Sequence, residues 1–259
     1  MFFALKNKYF NFQYGRVFAF LICYIFVGST PLLAQKNTFH SGNQQWVQYY
    51  NQLKFNQKWS LLTDGGFRWK NSFSNYSQYQ IRTGAGYAIN PNINIAAGIA
   101  HSGAYLSEQV VRVEFRIYQD MVLKHASGRV RFNHRFRIEE RFFNPYNGKI
   151  QTPNSYNFRF RYGFTTSIPL FNISNEKLGK AVLLNLGNEI FINAGKQTVN
   201  QVFDQNRFLI SPTYRYSDNL DISFTWNTLI SSTRVATDYL YLNVFWLQVK
   251  HKIDLSSKK

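Results

Sequence analysis

Residues 129–142 read "RVRFNHRFRIEERF", a run in which arginine or another polar residue alternates with aromatic or branched apolar ones. A repeat of two is the signature of a β-strand, because successive side chains point to opposite faces of the pleat. Arg129, Arg131, Asn133, Arg135, Arg137, Glu139 and Arg141 share one face. Val130, Phe132, His134, Phe136, Ile138 and Phe142 share the other, with Glu140 as the exception. The fold depends on which of these two faces is the inside.

The same period extends in both directions, in "QYQIRTGAGYAI" (78–89), "VRVEFRIYQ" (111–119), "YNFRFRYGF" (156–164), "VLLNLGNEIFIN" (182–193) and "DISFTWNTLI" (221–230). Helical spacing is hard to find between residues 44 and 253. The pattern predicts eleven strands, at 44–55, 58–69, 76–89, 93–105, 110–124, 129–142, 154–170, 181–194, 202–216, 220–231 and 239–253. Turn signals separate them, so the chain reads as a string of hairpins. "NQK", "NPN", "ASG" and "SDN" are tight connections, whereas those near 70, 106, 143, 195 and 232 are longer and polar. Alternation of short and long connections is expected of an outer-membrane barrel, with short periplasmic turns and longer outer loops. The stretch 171–180 is long for its place in that order.

A soluble sandwich or periplasmic barrel also alternates, but it places its apolar face inward. Here that face carries large rings in strand after strand, while the opposite face carries arginines with few acids. Lipid on the ring-bearing side accounts for both, since a row of guanidinium groups at mid-depth in lipid costs roughly 2–4 kcal/mol each. The strands are also longer than the roughly 5–6 residues usual in soluble sheets. The expected fold is therefore all-β: an antiparallel up-and-down transmembrane β-barrel in the cell outer membrane, with outer-membrane lipid as its surroundings. The last strand should end in the periplasm, and bacterial barrels normally have an even strand count. A twelfth strand within residues 35–43 satisfies both conditions, with ten strands as the alternative.

The first 34 residues differ in kind. Lys6, Lys8 and Arg16 precede the apolar run "VFAFLICYIFVG", and "STPLLAQ" follows. That order predicts a signal peptide at 1–34, cut after Ala34, with the barrel domain at 35–259. Cleavage removes Cys23, the single cysteine, so disulfides and thiolate ligands are not expected. The 30 Lys and Arg against 13 Asp and Glu would suggest nucleic acid in a soluble intracellular protein. Export argues against that partner.

With the arginine face inward, Arg112, Glu114, Arg116, Arg131, Arg135, Arg137, Glu139, Arg141, Arg159, Arg161, Glu189 and Arg207 are expected to form a lumen charge network. Asp64, Arg68, Arg82 and Asp221 also point inward. Two readings compete for this lumen. In the favoured one, carboxylates tie the arginines together into a plug, a task suited to the planar fork of guanidinium. In the other, surplus arginine leaves a positive path for small anionic solutes or lipid phosphates. Asp204 and Asn206, in "FDQNR" (203–207), are expected to cap a strand rim or loop.

"HRFRIEERF", "FRFRY", "NEIFINAG" and "FDQNR", in this order and spacing, together with "WVQYYNQLKF" near residue 46, resemble the uncharacterised outer-membrane family called domain of unknown function 2490. The matching positions are Arg135, Arg137, Glu139, Glu140, Arg141, Arg159, Arg161, Glu189, Asn193, Asp204, Gln205, Asn206 and Arg207. The resemblance implies an outer-membrane barrel of Gram-negative bacteria, especially Bacteroidota, and implies no activity.

Catalytic chemistry finds little support. The five histidines show no ligand-like spacing, so no metal or other cofactor is expected. His134 faces away from the arginine row by parity. His101, beside Ser102, is the other candidate base for a lipid-modifying enzyme, and both histidines read more simply as aromatic-belt residues. "GAGYAI" (84–89) lacks the third glycine and the helix of a phosphate-binding loop, so its glycines are expected to make room for bulky lumen neighbours or strand curvature. The expected function is a non-enzymatic structural or interaction role in the envelope.

Overall fold

Strict alternation makes the strand the dominant regular element among the described residues. The computed structural model describes residues 37–148, 155–173, 180–195, 201–233 and 235–256. Among them it shows β1 (Thr38–Lys54), β2 (Trp59–Lys70), β3 (Asn75–Asn90), β4 (Ile93–Leu106), β5 (Gln109–Ser127) and β6 (Val130–Pro145). It continues with β7 (Ser155–Asn172), β8 (Ala181–Ala194), β9 (Phe203–Ser217), β10 (Leu220–Ser232) and β11 (Asp238–Asp254). The expected signal peptide at 1–34 lies outside the described residues, as do 149–154, 174–179 and 196–200 of three longer connections.

Each strand pairs antiparallel with the next, and the sheet closes where β1 pairs with β11. That last pairing is parallel, in continuous register from Thr38↔Asp238 to Lys54↔Asp254. The expected count of twelve, or ten, is therefore corrected to eleven. Residues 38–43 do not turn back as a separate strand. They prolong β1, whose backbone groups are met by β11 along its full 17 residues. Ladder bonds need no apolar side chains, so "TFHSGN" pairs despite its composition.

The register also sets the tilt. The row through Arg137 passes Arg161, Phe191, Gln205 and Ser231 to reach Leu240 on β11. In the other direction it passes Asp120, Ala96, Gly86, Ser60 and Lys54 to reach Asp254. A stagger from Leu240 to Asp254 goes with strands inclined by roughly 35–45° to the barrel axis.

At one end the connections β1–β2 and β3–β4 are tight because an asparagine folds each turn. Asn56 Oδ1 accepts from the Lys58 and Trp59 amides at 2.9 and 2.8 Å, and Asn90 Oδ1 accepts from Asn92 and Ile93 at 2.8 Å each. At the opposite end the β4–β5 connection is shorter than expected. Only Ser107 and Glu108 link the strands, both with positive φ (48° and 63°), as a two-residue hairpin turn demands.

The outer face of this barrel is apolar and the inner face polar. Ile81, Phe115, Phe136, Phe160, Phe208, Phe224 and Phe245 all project outward and are exposed, Phe224 to 64%. Inside, Gln48, Gln80, Ser102, Ser223, Thr225, Asn227 and Gln248 are buried with the charged residues. One apolar cluster, Trp46, Leu229, Leu242 and Val244, lines the inner side of the seam and its neighbour β10. On β3 and β4, Gly84 and Gly98 lie opposite each other, and a Cβ on either would stand 2.6 Å from Tyr118 Oη. These glycines make room for a lumen tyrosine, as expected of "GAGYAI".

Candidate functional site

β6 brings its odd-numbered residues to the interior in a line, and its neighbours supply the acids they need. Glu139, 1% exposed, is the centre. Arg159 donates to Glu139 Oε2 from Nε at 2.7 Å and from Nη2 at 2.5 Å, and Arg161 Nη1 donates to Oε1 at 2.7 Å. Arg137 Nη1 lies 3.6 Å away, while its Nε donates to Asp120 Oδ1 at 2.7 Å and its Nη2 to Oδ2. A second knot forms at Glu189 on β8. Arg161 Nη2 donates at 2.8 Å, Arg135 donates as well, and Arg207 stands at 3.8 Å. A third forms at Glu114 on β5, held by Arg116 through a pair of 2.6 Å bonds and by Arg141 at 2.5 Å. Asp204 joins the knots, accepting from Arg159 at 2.9 Å and lying 4.0 Å from Arg141.

Seven arginines (116, 135, 137, 141, 159, 161 and 207) and five acids (114, 120, 139, 189 and 204) thus form one connected network across β5 to β9. Such bidentate, shared geometry satisfies charges that could not be buried singly. Phe191 stacks into it, its ring centroid 4.3 Å from the Arg161 guanidinium and 4.7 Å from that of Arg207. A separate pair, Arg82 with Asp64 at 2.9 Å, sits on the β2–β3 wall, where Gln48 also donates to Asp64 at 2.6 Å. Farther along β7 to β11 the interior has an uncharged stretch. Ser167, Asn185, Thr213 and Ser223 are linked at 2.6–2.8 Å, as are Ser211, Thr225 and Gln248 at 2.6–2.9 Å.

The barrel interior holds a cavity of about 640 Å³. Its lining runs from Ser231 and Ser232 at the end of β10 to Gln248 and Lys250 near the end of β11, and includes Arg68, Arg82, Arg112, Arg135 and Arg207. The Arg/Glu network expected inside the barrel is present, and part of it lines this cavity.

Of the residues expected in the network, ten are joined within it: Glu114, Arg116, Arg135, Arg137, Glu139, Arg141, Arg159, Arg161, Glu189 and Arg207. Two are not. Arg112 lines the cavity with its guanidinium 5.6 Å from the Phe143 ring, and Arg131 is exposed beside the β5–β6 turn. Neither has an ion pair among the described residues.

Asp120 is a member that the sequence reading passed over, although it shares the parity of Glu114 and Arg116. Asp204, expected to cap a rim or loop, joins the network from the second position of β9. A register shift between Phe191 and Ile192, opposite Gln205 and Phe203, leaves Asp204 as the extra residue of β9. Among the described residues Asn206 has no hydrogen bond to a loop. It exchanges amide hydrogen bonds with Asn188 across β8 and β9, both at 3.1 Å.

The histidines stand away from the network. Nδ1 of His134, His101 and His251 meets the hydroxyl of Tyr162, Tyr79 and Tyr49 at 2.9, 3.3 and 3.0 Å. Ser102 is buried inside while His101 is exposed outside, so that pair does not assemble.

A closed barrel with an apolar exterior and an arginine–carboxylate interior defines the class of protein. Residues 43–236 match the family model described as "Protein of unknown function (DUF2490)". The chain belongs to that family. No curated protein and no solved structure matches it.

Proposed function

We propose that the protein is an outer-membrane β-barrel with a non-enzymatic structural or interaction role in the cell envelope. Its lumen network holds the wall rigid, and the loops at one end make external contacts. The observation that supports this most is the inversion of the faces. Large apolar side chains are exposed around the barrel while ion pairs lie inside, an arrangement that is stable against lipid and unfavourable in water. Fractionation followed by unheated and heated gel electrophoresis tests it. The expected result is a heat-modifiable species in the outer-membrane fraction. A mature chain found soluble in the periplasm would overturn the reading.

The cavity favours a second reading, a narrow path for small anions, because more arginines than acids face it. Planar-bilayer recording separates the two. The structural role expects negligible conductance, whereas the path expects anion-selective current that falls in Arg135→Ala.

A further inference from the structure

The network leaves two arginines differently placed from the rest. Arg68 on β2 donates from Nη1 to Gln78 Oε1 at 2.7 Å and has no carboxylate partner among the described residues. Arg207 on β9 has only a long ion pair, its Nη1 standing 3.8 Å from Glu189 Oε2, while Arg135 and Arg161 hold Oε1. Neither therefore has a carboxylate within hydrogen-bond distance among the described residues. Both also stand over a single ring: the Trp46 centroid lies 3.9 Å from the Arg68 guanidinium and 5.3 Å from that of Arg207. Strands far apart in sequence thus bring two cations to one indole, which attracts both by cation–π contact. Trp46 is itself held by Gln44, which accepts from its Nε1 at 2.8 Å, and by an edge contact with Trp246 at 5.2 Å.

We infer that the cavity beside Trp46 binds an anion bearing a phosphoryl group, held between Arg68 and Arg207. An anion between them would offset the repulsion of two like charges over one ring, and a tetrahedral dianion offers oxygens to both forks at once. The lining adds donors suited to the remainder of such a ligand, in Gln48, Tyr50, Gln80 and Ser231. A volume of about 640 Å³ exceeds inorganic phosphate and suits a small phosphorylated molecule or a lipid headgroup. The site lies wholly inside the barrel, so it stands or falls separately from where the barrel resides.

The test uses the full folded chain in a zwitterionic detergent free of phosphate, titrated calorimetrically with inorganic phosphate, glycerol 3-phosphate and dihexanoyl phosphatidic acid. Saturable binding of at least one probe is expected, weakened roughly tenfold or more in Arg68→Gln and in Arg207→Gln, since each removes a charge-assisted contact of ~1.5–3 kcal/mol. Arg131→Gln, which removes an exposed turn charge, should bind as the parent does. Preference for the soluble probes marks a solute site, and preference for phosphatidic acid marks a headgroup site; both support the inference. Absence of saturable binding by all three probes, or equal weakening in Arg131→Gln, overturns it. If the interior variants fail to fold, arginine footprinting of the unaltered protein with phenylglyoxal decides. The bound probe should shield Arg68 and Arg207 but not Arg131, and equal modification with and without probe overturns the inference.

Discussion

At the residue scale, the carboxylate of Glu139 determines whether three guanidinium groups can share the interior. Glu139→Gln keeps the shape but leaves Arg137, Arg159 and Arg161 facing one another without their common anion. Removing one partner of a buried ion pair costs about 3–5 kcal/mol, and reversible urea unfolding of the variant should show a loss of that order. Gly98 sets a second limit, because a Cβ there would lie 2.2 Å from the Thr83 carbonyl oxygen and 2.6 Å from Tyr118 Oη. Gly98→Ala should destabilise by about 1–3 kcal/mol as overpacking. Gly65→Ala meets nothing nearer than 3.6 Å and should be close to neutral in the same assay. Much of this was legible beforehand: period two assigned Arg135, Arg137, Glu139 and Glu189 to one inward face. Parity also places Asp120 on this inward face, opposite Arg137. Asp204 was not legible, since the β9 irregularity that turns it inward breaks the alternation on which the reading relied.

At the scale of the element, β6 shows how far alternation alone can go. Its two faces, inferred from fourteen letters, are the two faces found, because a pleated backbone leaves no third direction. Ile138, 41% exposed between Arg137 and Glu139, tests what lies outside. Ile138→Arg at the middle of a bilayer should cost roughly 2–4 kcal/mol, measured by folding into lipid vesicles, whereas a water-facing wall would accept arginine there without loss. Strand ends were also legible to within a few residues for most strands, where Asn, Gly and Pro punctuate the chain. The start of β1 was not. "TFHSGN" lacks any apolar rhythm, and its strand state comes from a partner two hundred residues away in sequence.

At the scale of the whole molecule, eleven strands were visible in the sequence, and only a general rule about even counts added a twelfth. That rule assumes antiparallel closure, and this chain closes in parallel instead. Replacing both Lys54 and Asp254, which are Cα partners across the seam, with cysteine should give an intramolecular disulfide in nearly all folded molecules. Lys54→Cys with Asp238→Cys, at opposite ends of the seam, should give none. Non-reducing electrophoresis of the folded barrel reads both results. The cavity was beyond the sequence for a related reason: faces can be assigned strand by strand, but Arg68 and Arg207 meet over Trp46 only after the circle is complete.

The same parallel seam governs the order of assembly. Ten of the eleven pairings join sequence neighbours and can form as local hairpins, but β1 and β11 have no turn between them and must find each other across the length of the chain. Closure is therefore the step of highest contact order and the natural bottleneck in folding. Until it happens, an open sheet presents two unpaired edges, each able to recruit a strand from another molecule. A barrel of this kind needs protection from its own copies during biogenesis for as long as those edges stay apart.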